Sequence, residues 1–132
     1  MSRSPSSDRT PLDLFRALLE LHDECMAGGH AAAGYHALAA AMHCAEDARS
    51  LESLEAVIDL AVRRQAELDT EDPPHPLSGS QARLRGTTSV FESLVVTGRA
   101  IHGRLVAEAI RMKGEQRREV ATERVQAAKS AR

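Results

Sequence analysis

Apolar residues in this chain recur every three or four positions, the spacing of a helix face rather than the alternation of a strand. The first run opens at Thr10-Pro11-Leu12-Asp13. Thr10 can cap free backbone N–H groups, Pro11 suits the first helical position, and Asp13 favours the positive end of the helix. Leu14, Leu18, Leu21 and Cys25 then follow at spacings of 4, 3 and 4, with Phe15, Leu19 and Met26 widening the stripe. Gly28-Gly29 ends this helix, because glycine is poor in a helix interior and well suited to a C-terminal turn. A second, alanine-rich helix is predicted over 31–47, with Tyr35, Leu38, Met42 and Ala45 at helical spacing. A third runs over about 50–69 through Leu51, Leu54, Ile58, Ala61, Val62, Gln65 and Leu68.

The stretch 70–88 (TEDPPHPLSGSQARLRGTT) contains three prolines and two glycines. Structureless connections of that length are uncommon in compact domains, so a mobile loop is expected here. Ser89-Val90-Phe91-Glu92 has the capping-box pattern and starts a fourth helix over about 89–112. Its stripe is Phe91, Leu94, Val95, Ile101, Leu105, Ala109 and Met112, and Gly98 marks a close approach of another helix. Residues 113–132 hold good helix formers, but their large apolar residues are only Val120 and Val125. They fit either a prolongation of that helix or a frayed basic tail. Residues 1–9 are polar and read as a flexible tail.

Composition narrows the fold class. The 132 residues hold 2% aromatics, no Trp, one Tyr and two Phe, so the core must be aliphatic. That disfavours a β-sandwich and an aromatic base-stacking platform. An all-α domain over 10–112 follows, a small four-helix bundle with a long C-terminal helix. The net charge of −2 conceals a division: residues 1–72 carry 6 basic and 14 acidic side chains, residues 73–132 carry 11 and 5. Halves of −8 and +6 can attract each other within one chain or between two copies. The N-terminal segment lacks the apolar core of a secretory signal and no run is long enough for a membrane span, so a cytoplasmic location is expected. The abundance of Ala and Arg over Lys suggests a bacterial source.

Leu18 to Glu46 resembles a single tetratricopeptide-type helical hairpin. Leu18 and Leu21 match the large apolar pair of its first helix, Gly29 the turn, Gly34 and Ala41 the small positions of its second helix, and Leu38 the bulky one between them. Two positions depart from the pattern: His22 stands where the family places Gly or Ala, and Glu46 where it closes on Pro. The resemblance implies a close-packed helical hairpin, with the third helix as the next helix of a stack.

Candidate chemistry concentrates between residues 22 and 44, which hold four of the six histidines and both cysteines. His22 and Cys25 share a face at i, i+3, and His36 and His43 share one at i, i+7. Imidazole and thiolate are zinc ligands, so His22, Cys25, His36 and His43 form a candidate metal set, and Cys25 with Cys44 a candidate redox pair. No CxxC…HxxxH signature accompanies them. Cys44 adjoins His43, but neighbours on a helix do not face each other. Ser78-Gly79-Ser80 lacks the GxSxG pattern, so no catalytic residue or cofactor is assigned. Nine basic residues from Arg99 to Arg132 offer phosphate contacts, but acidic residues interleave them. The leading expectation is a non-catalytic adaptor that binds a protein partner or itself through Leu14, Leu18, Leu21, Leu94, Ile101 and Leu105. A metal or thiol sensor is the first alternative, and a nucleic-acid accessory protein the second.

Overall fold

The computed structural model of the chain describes residues 8–131. Residues 1–7 and 132, which include most of the expected tail 1–9, lie outside the described residues. The described chain is all-α: α1 (Pro11–Ala27), α2 (Ala31–Asp47), α3 (Leu51–Glu71), α4 (Gly79–Leu84) and α5 (Val90–Ser130). None of these helices is long and apolar enough to cross a membrane.

The helix ends follow from local chemistry. Thr10 and Asp13 close a reciprocal capping box, Asp13 N–H donating to Thr10 Oγ1 at 3.2 Å and Thr10 N–H to Asp13 Oδ2 at 3.0 Å. Gly29 turns the chain at φ +79°, where His30 N–H reaches back to the Cys25 carbonyl at 2.7 Å. The α2–α3 turn repeats this geometry without glycine. Arg49 takes φ +51°, and Ser50 N–H reaches the Ala45 carbonyl at 3.0 Å. A side chain in that left-handed region costs about 1–2 kcal/mol, and Arg49 also pairs with Glu108 of α5.

Two antiparallel pairs make up the bundle. α1 packs chiefly on α2 and α5 on α3, while α2 touches both α3 and α5. The core consists of Phe15, Leu38, Met42, Leu54, Val57, Ile58, Phe91, Leu94, Val95, Ile101 and Leu105, with Ala41, Ala45 and Ala61 where backbones approach. A Cβ on Gly98 would lie 2.8 Å from Ile58 Cγ1, so the close approach expected at that glycine is present. Gly34 plays the same part between α1 and α2, where a Cβ would meet Met26 Sδ at 2.6 Å.

The structure departs from the expected four helices in the stretch 70–88. α3 continues to Glu71, and a short fifth helix, α4, occupies part of the expected mobile loop. Polar groups hold it there. Buried Ser78 caps α4 by accepting from Gln81 N–H at 3.1 Å and donates to the Pro73 carbonyl at 2.6 Å. Gly79 N–H donates to Asp69 Oδ1 at 2.6 Å. Gln65 bridges onward, donating to Asp69 and accepting from Ser89, the cap of α5. Six residues are too few for hydrophobic periodicity, and the prolines and glycines obscured the Ser78-x-x-Gln81 cap pattern.

Of the two readings open for residues 113–132, the described residues show the prolongation of the last helix. α5 runs 41 residues without a break, about 60 Å at 1.5 Å per residue. Gly114 does not interrupt it.

Candidate interaction surface

Four residues of the proposed metal set occupy different surroundings. His22 is fully buried between α1, α2 and α3. Arg64 of α3 donates from Nε to His22 Nε2 at 3.0 Å, so Nε2 is the acceptor and Nδ1 carries the proton it donates to the Gly34 carbonyl at 2.7 Å. Arg64 also reaches Asp23 at 2.9 Å and Glu67 at 3.0 Å. Burial holds the His22 pKa below its ordinary value, opposed by the hydrogen bond to Gly34 and reinforced by the Arg64 charge. Both ring nitrogens are therefore engaged: Nδ1 ties α1 to α2 within the hairpin, and Nε2 joins the hairpin to α3 through Arg64.

The remaining three do not assemble around it. Cys25 is half-buried against Gly34. His36 is exposed beside Tyr35, and His43 is exposed 3.7 Å from Glu46. Among the described residues no group of three or more His, Cys, Asp or Glu is placed to hold a metal ion. Both cysteines are free thiols. Cys44 lies ten residues along α2 from Gly34, an axial offset of about 15 Å from Cys25 and too far for an S–S bond. Burial, then the Asp47 charge, raises the Cys44 pKa, the opposite of an activated thiolate.

The six candidate interaction residues divide. Leu94, Ile101 and Leu105 are 4%, 7% and 6% exposed and fill the core beneath α5, so they are not available to a partner. The reason is the antiparallel packing of α5 on α3, which consumes the stripe that periodicity revealed. Leu18 is partly buried against the same core. Leu14 and Leu21 stay outside, 40% and 48% exposed, two turns apart on one face of α1. Glu20 and Glu24 lie beside Leu21, exposed and in no ion pair among the described residues.

The second exposed surface is the distal part of α5. From Ala109 to Ala131 every residue except Gly114 is exposed. Side chains in this extension segregate by charge. At 100° per residue, Glu115, Glu119 and Glu123 line one side. Ile110, Gly114, Ala121, Val125 and Ala128 form an apolar stripe on roughly the opposite side, flanked by Arg117 and Arg124 on one edge and Arg118 on the other. None of these three arginines forms an ion pair among the described residues.

Arg64 is the residue that sequence reasoning missed. A histidine within an apolar stripe signals a buried imidazole that needs two partners, yet nothing local to His22 points 42 residues onward. No protein family, curated protein or solved structure matches the chain, so its surfaces rest on their own geometry.

Proposed function

We propose that this protein is a non-catalytic helical interaction module that self-associates, its docking element being the distal part of α5. One observation carries the reading: residues 109–130 continue α5 as an unbroken helix that buries nothing against its own bundle. In proteins most helical stability comes from packing of an apolar face rather than from propensity, and this stretch has no such packing. It is further burdened by like charges one turn apart, at Glu115–Glu119, Glu119–Glu123 and Lys113–Arg117. A partner that covers the extension supplies the missing contacts. A tetratricopeptide-like character of α1–α2 belongs to the same proposal, supported by the buried small residues Gly34 and Ala41. So does a bacterial, cytoplasmic setting.

Sedimentation analysis over a range of concentrations tests the proposal. A mass above 14.3 kDa that falls on dilution is expected. A monomer at every concentration refutes self-association. A nucleic-acid accessory role is the second reading, favoured by the exposed arginines of the extension. It requires salt-sensitive binding of DNA or RNA by the monomer, and absence of binding at low salt removes it.

A further inference from the structure

We propose that the distal α5 of one copy docks on the outer face of α1 of a second copy, and that the exchange is reciprocal. This rests on the self-association reading and names its surfaces.

Three properties of the two faces match. The first is shape. Leu14 and Leu21 project from α1 seven residues apart and are 40% and 48% exposed. Gly114 and Ala121 are the small positions of the extension's apolar stripe and have the same seven-residue spacing, about 10.5 Å on either helix. Bulky side chains on one helix seat over small ones on the other, which lets the backbones approach closely.

The second is charge. Glu20 and Glu24 border the leucines, whereas Arg117, Arg118 and Arg124 border the apolar stripe. The acidic line Glu115–Glu119–Glu123 faces away from it. The partner face therefore has to be apolar and acidic, and α1 is both. The charge division between residues 1–72 and 73–132 is thereby neutralised between copies.

The third is reach. α5 leaves the bundle beside the α2–α3 turn, where Arg49 pairs with Glu108 and Arg104 with Glu46. α1 begins at this same end, because it is antiparallel to α2. The extension points away from its own α1 and cannot fold back without breaking the helix. Its 22 helical residues, 109–130, span about 33 Å, enough to run along the roughly 25 Å of an α1 approached from that end. Each copy presents one extension and one α1, so a two-fold pair satisfies all four surfaces and closes.

The test uses two full-length variants and the wild type in sedimentation analysis. In the first, Arg117, Arg118 and Arg124 are each changed to Glu; in the second, Glu20 and Glu24 are each changed to Arg. The wild type is expected to dimerise and each variant alone to be monomeric. Mixing the two variants restores a dimer, because each acidic extension then meets a basic α1 and each basic extension an acidic α1. Restoration on mixing also excludes misfolding as the cause of the loss. A dimeric wild type whose variants remain dimeric, or whose variants do not recombine, overturns this pairing and leaves self-association standing. A monomeric wild type overturns both, and if it binds DNA or RNA through the three arginines, the nucleic-acid reading takes their place.

Discussion

The two halves of α5 are one helix with opposite fates, and the difference lies on a single face. Leu94, Ile101 and Leu105 point into the core. Five turns further on, the same angular positions hold Met112, Glu119 and Glu123. Met112 is 65% exposed and the two glutamates are exposed. Beyond Glu108 α5 has passed the start of α3, and carboxylates stand where the apolar seam was, so the helix continues intact with none of its own chain to pack on. Backbone structure and tertiary structure are thus set by separate features of the sequence: helix formers continue to Ser130, whereas the core-facing stripe stops near Leu105.

Substitutions along α5 break this comparison most visibly. Phe91 is fully buried and its ring meets Tyr35 edge-on at a centroid distance of 6.0 Å. Phe91→Ala is expected to cost about 3–5 kcal/mol, read as a fall in the urea midpoint. Val125→Ala, in the exposed half, should leave unfolding of the dilute monomer nearly unchanged. Comparable losses at both sites would show that the extension packs on its own bundle.

A glycine pair sharpens the contrast because the same change should act with opposite signs. Gly98→Ala introduces a Cβ 2.8 Å from Ile58 Cγ1, a branch near the backbone that cannot swing aside. Overpacking of that kind costs about 1–3 kcal/mol. At Gly114 the nearest atom is the flexible end of Arg118 at 3.8 Å. Gly114→Ala should instead favour helix by about 0.8–1 kcal/mol, measured as higher helical ellipticity in dilute protein. Loss of helicity at Gly114 would mean that the glycine has a packing role within its own chain.

The same division governs how much was legible in the sequence. α1, α2 and the start of α5 announce themselves through Thr10-Pro11, Gly28-Gly29 and the Ser89–Glu92 cap, since capping and periodicity are local properties. Gly98 revealed a helix contact, because a glycine within a strong helix pattern has few other uses. α4 was hidden, since what holds it is a long-range chain of Asp69, Gln65 and Ser89. At the interaction site, periodicity identified Leu94 and Leu21 alike as members of apolar stripes but could not say which stripe would find a neighbour. The histidine cluster misled for the same reason. Proximity in sequence placed His22, Cys25, His36 and His43 together, whereas the fold turns His36 and His43 to solvent and engages His22 with Arg64.

His22 provides a pH-dependent comparison between the joined hairpin and the free extension. Its pKa in the folded protein lies below the ordinary 6.5 because burial penalises the imidazolium. Well above pH 6.5 both the folded and the unfolded state are neutral at this ring, and the full contribution is present. As pH falls through 6.5 the unfolded chain gains the proton first, so stability declines until the folded pKa is passed. Protonation also removes the Nε2 acceptor and sets a cation against Arg64. The urea midpoint should therefore fall between pH 7.5 and pH 5 by more in the wild type than in His22→Asn. Equal falls would show that other groups account for the acid sensitivity. Helicity of the extension, remote from His22, should not follow this profile.

Removing the extension is expected to have the smallest effect on the bundle. Residues 109–131 contribute no buried side chain, and the ion pairs nearest the boundary, Arg49–Glu108 and Arg104–Glu46, lie before it. A chain ending at Glu108 keeps every core residue from Phe15 to Leu105. Measured at dilutions where the full chain is monomeric, its unfolding free energy should agree within about 0.5 kcal/mol, as for surface changes away from packed features. At high protein concentration the two chains should diverge, because only the full chain gains stability by association. A truncated bundle that is equally stable when dilute and unchanged when concentrated assigns α5's distal part purely to association. A truncated bundle that is unstable even when dilute would mean that the bare half of the helix supports the packed half.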